Sequence, residues 1–309
     1  MDIIPYDTKN TVPGKGLRNL GNTCYFNSLL QCILSCPSIF STLEENKEAL
    51  HIKKNSIAQN LLKMYEKSKN NEDIYDMCIP IWKEILTVAS RRKDKVKLDI
   101  GQQDANEGLM LLLDVFDKLP EIKRLFEHRH LIQIFCQNCK ENIVENKEIN
   151  LVFEVQQDLK NEQHEKFKSM DNFYNTSQQM NDFLRKQNSY VEGFTCPKCQ
   201  NSSVKYKTTN LTMVPEILAI TIKKYTEKKI TPFPNKLEFI HKGNTKKLIY
   251  KLVAQSEHSG TMFGGHYWAV CLRSDGWKTL NDSSVGPGQP GPTINSYILF
   301  YHFEKYEDI

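Results

Sequence analysis

The sequence lacks an apolar run long enough to cross a bilayer. Its longest hydrophobic stretches fall short of the roughly 18 residues that a transmembrane helix requires. The first ten residues, MDIIPYDTKN, are polar and lack the basic start and apolar middle of a secretory signal. We therefore expect no membrane partner and a cytoplasmic location, with the nucleus left open.

The chain also lacks a strong net charge and an even number of cysteines. Its 41 basic and 37 acidic residues leave a formal charge of +4 over 309 residues, too balanced to indicate a nucleic-acid partner by itself. Nine cysteines are an odd number, and four of them form two C-x-x-C pairs. This pattern fits thiols and metal in a reducing compartment better than a secreted disulfide framework.

Hydrophobic periodicity divides the chain into a helical first part and a strand-rich last part. Helices are predicted where apolar residues recur every three or four positions, at 24–36, 57–65, 81–89 and 105–116. Strands are predicted from β-branched and aromatic runs at 131–136, 149–155, 216–222, 266–272 and 296–303. Between the C-x-x-C pairs, 156–188 is polar, with one short helix predicted near 180–184. Helices first and strands later indicate an α+β fold.

Cys24 directly follows a Gly-Asn-Thr turn and begins the first predicted helix. The unpaired N–H groups and the dipole of a helix N-terminus favour a thiolate, which is the nucleophilic form of cysteine. Asn22 or Thr23 is predicted as the N-cap of this helix. A buried structural thiol is the alternative for Cys24, and it is the interpretation we adopt for Cys32 and Cys36.

A cysteine nucleophile needs a base, which is usually distant in sequence. His266 follows two glycines and begins a predicted strand, a setting that no other histidine in the sequence shares. Asn281 and Asp282 end the next strand-like segment, where an antiparallel neighbour would bring an acceptor beside the imidazole. An ordinary polar turn is the alternative interpretation of Asn-Asp-Ser-Ser.

Together these segments resemble the ubiquitin-specific protease family of papain-like deubiquitinating cysteine peptidases. GLRNLGNTCYFNSLLQ is similar to the cysteine box of that family, and HSGTMFGGHYWAVCLRSDGWKTLNDSSV is similar to its histidine box. SYILFYHF and VPEILAITIKKYTEKKITPFPNKLEF resemble strands of the same fold. The resemblance implies one catalytic domain, 1–309, with a thumb at 14–125, fingers at 126–210 and a palm at 211–309.

The resemblance also implies roles for individual residues. Cys24 would be the nucleophile, His266 the general base and acid, and Asn281 the residue that orients the imidazole. Asn19 would donate its side-chain amide to the oxyanion, and Asp282 would support that site. The implied reaction is hydrolysis of the peptide or isopeptide bond after the C-terminal glycine of ubiquitin, on ubiquitinated proteins, by a monomeric enzyme.

Further positions match places where the family contacts the ubiquitin tail. Asp104 and Glu107 are expected to contact this tail, which carries arginines, and Tyr267 is expected to line the channel for its Gly-Gly end. Gly264 and Gly265 fit a loop that lets the tail pass close to the backbone. A helix capping box explains Asp104 and Glu107 without substrate. Core burial is the alternative for Tyr267.

Cys136, Cys139, Cys196 and Cys199 are four thiols that suit tetrahedral zinc. Residues 140–195 separate the two pairs, 56 positions where a compact ribbon has roughly 15–20, so disulfides and idle thiols are alternatives on spacing alone. In the resembling family such pairs hold the tips of the finger strands, which implies a structural four-cysteine zinc ribbon. Four thiolates leave no open position at the metal for water.

Three other functions are open on this sequence. A peptidase for a ubiquitin-like modifier would use the same chemistry, and an inactive ubiquitin-binding module would keep the fold without the reaction. A zinc-ribbon nucleic-acid binder is favoured only by the C-x-x-C pairs and the modest basic charge. It leaves the segments around Cys24 and His266 unexplained.

Overall fold

A computed structural model describes most of the chain. The described residues are 5–48, 56–90, 104–116, 119–156, 173–175, 189–224, 228–241, 245–261 and 264–309. Within them, six α-helices precede thirteen strands, which confirms the predicted α+β class. The helix predicted near 180–184 lies outside the described residues.

The helices occupy the region that periodicity predicts. They are α1 Cys24–Ile33, α2 Pro37–Glu45, α3 Ser56–Lys69, α4 Cys78–Ser90, α5 Ala105–Val115 and α6 Pro120–Arg124. The sequence patterns do not predict α2 and α6, because each begins with a proline that looks like a stop signal. Both prolines occupy the start of the helix, where a missing N–H costs no hydrogen bond.

The strands form two sheets. The four-stranded sheet has the order β2-β1-β6-β5, with β1 His128–Cys136, β2 Glu141–Asn150, β5 Ser189–Val191 and β6 Lys205–Met213. The nine-stranded sheet follows the path β12-β11-β10-β9-β13-β7-β3, and β8 joins β4 to β9. Its strands are β3 Val152–Gln156, β4 Phe173–Asn175, β7 Ile217–Lys223, β8 Lys236–His241, β9 Lys246–Thr261, β10 Gly264–Arg273, β11 Gly276–Asn281, β12 Ser284–Pro287 and β13 Ser296–Asp308.

One segment predicted as a single strand is interrupted in the structure. The segment 149–155, predicted as a single strand, is divided at Leu151 between β2 and β3. The reason is that the two parts pair with different sheets, β2 with β1 and β3 with β7. The break therefore lies where the chain passes from one sheet to the other.

The helix α1 lies at the centre of the fold, and all ten of its residues are buried. It contacts β9, β10 and β11 of the nine-stranded sheet and also α4 and α5. Helices and sheet therefore share one apolar cluster, to which α1 contributes on every side. No single helix among the described residues is long and apolar enough to span a membrane, although α1 and α2 together pass that test across a 75° bend.

Two histidines are buried where the sheets meet. His128 and His130, near the start of β1, are 1% and 4% exposed, and both rings contact Phe153 of β3. Burial lowers the pKa of His130 to about 4. Burial, with a further effect of His130, lowers the pKa of His128 to about 3. Both rings are therefore neutral in the folded protein at pH 7.

We predict that His130 makes the protein less stable in acid. The unfolded chain takes up a proton near pH 6.5, whereas the folded chain does so only near pH 4, so protonation favours unfolding as the pH falls between these values. His130→Leu removes this group. The stability lost between pH 7 and pH 5, measured by urea unfolding, should become smaller by about 2 kcal/mol. Gln133→Leu on the same strand is the control, and equal pH dependence in wild type and His130→Leu would contradict the prediction.

Candidate active site

Cys24 is the first residue of α1 and is 3% exposed. Thr23 occupies the N-cap position, as predicted, but its side chain does not cap the helix. Its hydroxyl instead accepts a hydrogen bond from the Leu20 N–H at 2.9 Å. With no side-chain cap on α1, the positive end of the helix dipole favours an anion beside Cys24.

His266 and Asn281 lie on neighbouring antiparallel strands. His266 is the third residue of β10 and Asn281 is the last of β11. The Nε2 atom of His266 lies 2.6 Å from Oδ1 of Asn281. An amide oxygen only accepts hydrogen bonds, so Nε2 carries the proton and Nδ1 is the proton acceptor of the neutral ring. The structure thus brings together the predicted base and its orienting residue.

The helix of Cys24 packs on the strand of His266. The contact between α1 and β10 is the most extensive helix–sheet contact of α1. A buried hydrogen bond of 3.0 Å joins Ser28 Oγ of α1 to Ser256 Oγ of β9, the next strand. The start of α1 and the start of β10 therefore belong to one packed unit.

Asp282 connects Asn19 to α1. One carboxylate oxygen accepts from Asn19 Nδ2 at 2.8 Å, and the other accepts from Asn27 Nδ2 at 2.8 Å. The Oδ1 atom of Asn19 accepts from the N–H groups of Gly21 at 2.9 Å and Thr23 at 3.3 Å. The amide of Asn19 is therefore held in one orientation, with one Nδ2 hydrogen directed to Asp282.

The backbone around Asp282 is held against the loop that precedes Cys24. Asp282 has φ +48°, in the left-handed region that aspartate tolerates better than most residues, and its carbonyl accepts from the Leu17 N–H at 2.8 Å. Gly16 allows the close approach, because a Cβ there would lie 2.4 Å from the carbonyl oxygen of Ser283. The two loops therefore form one wall of the candidate site.

Asn27 is the residue that the sequence analysis misses. It interrupts the apolar stripe of α1 and is 2% exposed, and a buried amide requires hydrogen-bond partners. Those partners are Asp282 and the carbonyl of Arg18, which accepts from Nδ2 at 3.0 Å. A polar residue on a buried helical face three positions after the candidate nucleophile was the available signal.

Asp104 caps α5, as the capping interpretation predicts. Its Oδ1 accepts from the N–H groups of Asn106 at 2.6 Å and Glu107 at 3.3 Å, and its Oδ2 accepts from the Tyr297 hydroxyl at 2.5 Å. Glu107 lies in the first turn of α5 with most of its side chain exposed. Partial loss of solvent around its carboxyl group, together with the charge of Asp104, raises its pKa. Contact of either carboxylate with a substrate stays a prediction.

Tyr267 is 4% exposed, and its ring stacks on His258 at 4.3 Å. The structure therefore agrees with the alternative interpretation of Tyr267, burial in the core. Contact of Tyr267 with a substrate stays a prediction. The predicted loop at Gly264 and Gly265 is wrong, because both pair with β9 as residues of β10. A Cβ on Gly265 would lie 2.4 Å from Nε2 of His258, so the packing of His258 already requires this glycine.

The four C-x-x-C cysteines form one cluster. Their sulfur atoms all lie within 4.8 Å of one another, with 3.7 Å between Cys136 and Cys199 and 3.8 Å between Cys139 and Cys196. Tetrahedral zinc with Zn–S bonds of about 2.3 Å separates its sulfurs by about 3.8 Å, whereas a disulfide holds them at about 2.05 Å. The cluster is thus compatible with zinc and is not disulfide-bonded.

Both C-x-x-C pairs lie in turns between antiparallel strands, as the resemblance implies. Cys136 ends β1 and the turn through Cys139 leads to β2, while the second pair lies between the antiparallel neighbours β5 and β6. Lys140 and Gln200, each directly after the second cysteine of its pair, have φ of 57° and 55°. Each turn therefore has a residue with left-handed backbone conformation at the same position, directly after its second cysteine.

Comparison with known proteins identifies the family. The family model described as ubiquitin carboxyl-terminal hydrolase matches residues 15–301. The chain belongs to this family. Ubiquitin carboxyl-terminal hydrolase 2 of Homo sapiens is 37% identical over 123 residues, which cover 35% of this chain and 20% of that protein. The Bos taurus protein of the same name is 27% identical over 361 residues, covering 96% of this chain and 56% of that protein. The chain thus spans about half the length of that relative.

Solved structures confirm the fold of the ubiquitin carboxyl-terminal hydrolase family. A SAGA DUB module of Ubp8, Sgf11, Sus1 and Sgf73 bound to monoubiquitin matches with a TM-score of 0.71 and 19% identity. The alignment covers 99% of this chain and 72% of that chain. The same module bound to ubiquitin aldehyde has a TM-score of 0.71 and 18% identity, with the same coverage. The papain-like α+β class is therefore confirmed, while the thumb, finger and palm boundaries stay predictions.

We predict that Asn27→Asp destabilises the fold through Asp282. The substitution places a buried carboxylate 2.8 Å from an existing one and removes the donor that both Asp282 and Arg18 use. The free energy of unfolding at pH 7 should fall by at least about 2 kcal/mol, and this loss should shrink as the pH is lowered and the pair takes up a proton. Urea unfolding at pH 7 and pH 5 measures both effects. Asn22→Asp makes the same chemical change at an exposed position five residues away, and an equal effect of the two variants would contradict the prediction.

Proposed function

We propose that this protein is a deubiquitinase, a thiol-dependent hydrolase of the peptide or isopeptide bond that follows the C-terminal glycine of ubiquitin. Membership of the ubiquitin carboxyl-terminal hydrolase family supports the reaction class. The observation that carries the proposal is the 2.6 Å hydrogen bond between His266 and Asn281, on strands that pack against the helix of Cys24. These are the parts that a cysteine peptidase requires.

In this proposal Cys24 is the nucleophile. Its proton passes to Nδ1 of His266, and the thiolate adds to the carbonyl carbon of the terminal glycine, forming a C–S bond. Asn281 accepts from Nε2–H and so leaves Nδ1 as the nitrogen that exchanges a proton with the thiol. An asparagine suffices in this position, because a thiolate–imidazolium pair needs a partner that fixes the tautomer and not a further base.

Asn19 donates to the oxyanion that forms in this step. Asp282 accepts one Nδ2 hydrogen of Asn19, and the remaining Nδ2 hydrogen is the donor we assign to the oxyanion. The backbone N–H of Cys24, at the N-terminus of α1, is the second donor we assign. A preorganised donor of this kind is typically worth about 3 kcal/mol of barrier. Asp282 acts on the reaction through Asn19.

The second half of the reaction uses the same residues. The tetrahedral intermediate collapses with cleavage of the C–N bond, and the leaving amine takes its proton from His266. A water molecule then gives a proton to His266 and adds to the thioester carbon. Cleavage of the C–S bond releases the C-terminus of ubiquitin as a carboxylic acid, which loses its proton to solvent, and the Cys24 thiolate takes back a proton from His266.

We propose ubiquitin and ubiquitinated proteins as the partners. Two of the matching solved structures, both SAGA DUB modules, are bound to monoubiquitin and to ubiquitin aldehyde, which supports the choice. Asp104 and Glu107 would contact the arginines of the ubiquitin tail, and Tyr267 would contribute the packed wall of the channel beneath its glycines. We further propose that the protein acts as a monomer in the cytoplasm, with the nucleus left open.

We also propose a structural zinc ion in the four-cysteine cluster. The sulfur separations match the edge of a zinc tetrahedron, and the four residues would join the turn after β1 to the turn before β6. When bound, zinc would supply cohesion between these turns. Four thiolates complete the coordination, so the ion would not activate water and takes no part in the hydrolysis.

Labelling with a thiol-reactive ubiquitin probe tests the proposed function. Wild type should form a covalent adduct, and Cys24→Ala should form none. Hydrolysis of a fluorogenic ubiquitin substrate should fall at least about a thousandfold in Cys24→Ala. Cys32→Ala is the matched control, because Cys32 is a fully buried thiol on the same helix, and this variant should be labelled as wild type is.

The choice of nucleophile, the choice of modifier and the inactive module each have their own outcome in this experiment. Labelling that persists in Cys24→Ala would overturn the nucleophile. If wild type is labelled only by a probe built on another modifier, the proposed chemistry would stand, but the substrate would be that modifier and not ubiquitin. Binding of ubiquitin without labelling would identify an inactive ubiquitin-binding module.

We predict that the purified protein contains one zinc per chain and depends on it. Cys199→Ser removes one ligand, so zinc content measured by elemental mass spectrometry should fall below half of the wild-type value, and the unfolding midpoint should fall with it. Cys36→Ser, a buried cysteine outside the cluster, is the control and should keep its zinc. A wild-type protein without zinc after expression in zinc-supplemented medium would contradict the prediction.

A further inference from the structure

Arg273, the last residue of β10, is a buried charge that the proposed chemistry does not use. Its side chain is 3% exposed. One guanidinium nitrogen donates to the carbonyl of Gln31 at 2.8 Å and to Oε1 of the same residue at 2.7 Å, and the other donates to the hydroxyl of Ser35. Gln31 belongs to α1 and Ser35 lies two residues beyond its end. Arg273 therefore holds the C-terminal end of the helix that Cys24 begins.

The surroundings of Arg273 stabilise its positive charge, although no carboxylate is paired with it. In the part of the chain that the structure describes, Arg273 forms no ion pair with an acidic residue. The C-terminal end of a helix carries partial negative charge on its carbonyls, which favours a guanidinium there. Cys271 lies on the same face of β10. Its burial opposes ionisation, but a hydrogen bond from Cys32 and the charge of Arg273 outweigh burial and lower its pKa to about 7.

The network extends to the loop that precedes Cys24. Gln31 accepts from Arg273 through Oε1 and donates through Nε2 to the carbonyl of Lys15 at 2.8 Å. Lys15 directly precedes Gly16, which lies against Ser283. One buried guanidinium thus links β10, the end of α1 and the start of the loop that carries Asn19.

The hydrogen bonds of Arg273 lie at the ends of α1 and β10 that are opposite the candidate site. Cys24 begins α1 and His266 lies at the start of β10, while Arg273 joins the far ends of both elements. Along β10, the alternate residues from Tyr267 to Arg273 are all 4% exposed or less, and Tyr267, Ala269 and Cys271 belong to the apolar cluster of α1. Apolar contacts alone would let a helix slide or turn on this surface. Directional hydrogen bonds at its end prevent both movements.

We infer that Arg273 is a positioning residue, which fixes α1 along β10 and thereby sets the approach of Cys24 to His266. This inference rests on the proposed function, because it concerns the same nucleophile and base. A displacement of about 1 Å between reacting groups can cost about a hundredfold in rate, so a distant clamp can control the reaction.

Two readouts test the inference in Arg273→Met and Arg273→Lys. The first is kcat and KM for a fluorogenic ubiquitin substrate, and the second is the rate at which iodoacetamide alkylates Cys24, followed by mass spectrometry of its peptide. Arg273→Met should lower kcat by at least about tenfold and leave KM within about twofold, because the loss lies in the alignment of the reacting groups. Alkylation should fall by about tenfold at pH 6 and change little at pH 9, where a thiol ionises without help from a base.

The variants include internal controls. Arg273→Lys keeps the charge and some of the hydrogen bonds, so it should recover part of both losses. Lys247→Met removes a cation from β9 whose partners are Glu238 and Glu307, and it should leave both readouts at the wild-type level. Should Arg273→Met fail to fold, Gln31→Met and Ser35→Ala each remove one acceptor and should show the same pattern, more weakly.

The outcomes separate this inference from the proposed function. Wild-type kcat and wild-type alkylation at pH 6 in a folded Arg273→Met protein, or in both acceptor variants, would overturn the inference. An equal loss in Lys247→Met would overturn it as well. Because alkylation needs no substrate, a wild type that ignores ubiquitin while its Cys24 reactivity depends on Arg273 would defeat the proposed function and support the positioning role.

Discussion

The burial of α1 on all sides is the constraint on which the candidate site depends. A helix of ten residues is too short to be stable alone, so its conformation comes from what packs around it. Three of its buried residues, Asn27, Ser28 and Gln31, are polar and must find partners. Their partners lie at three different places, Asp282 in the turn between β11 and β12, Ser256 on β9 and Arg273 at the end of β10. Satisfying all three at once fixes both the rotation and the position of the helix, and therefore the place of Cys24.

The same requirement unites the two halves of the site. Asn281 and Asp282 are adjacent, yet one accepts from His266 and the other from Asn19 and Asn27. Neighbouring residues at a strand end point in different directions, and the left-handed backbone of Asp282 increases the difference. One turn can thus serve the base and the oxyanion donor together. A change that rotates this turn would disturb both, although only one of its residues contacts the histidine.

Much of this arrangement can be predicted from the sequence, and the rest depends on tertiary contacts. Periodicity predicts α1 and α5, and a long, ordered motif set predicts the pairing of His266 with Asn281. The roles of Asn27 and Arg273 are not predictable in this way, because each lies in an apolar-patterned segment and bonds a residue far away in sequence, Asp282 at 255 positions and Gln31 at 242 positions. The burial of Tyr267 against His258 depends likewise on the register between β9 and β10. Local sequence patterns do not determine which residues of two strands pair with each other.

The four-stranded sheet depends on a different source of stability. Its strand β2 has no buried residue and β5 has only three residues, so the sheet buries little apolar surface of its own. At one end it rests on His128, His130 and Phe153, and at the other it carries the four-cysteine cluster. Where apolar burial is small, metal binding supplies folding free energy directly. The unit formed by α1, β10 and β11 shares no residue with the cluster. Zinc would therefore determine the order of the four-stranded sheet, while the alignment of Cys24 with His266 would depend on the buried hydrogen bonds of α1.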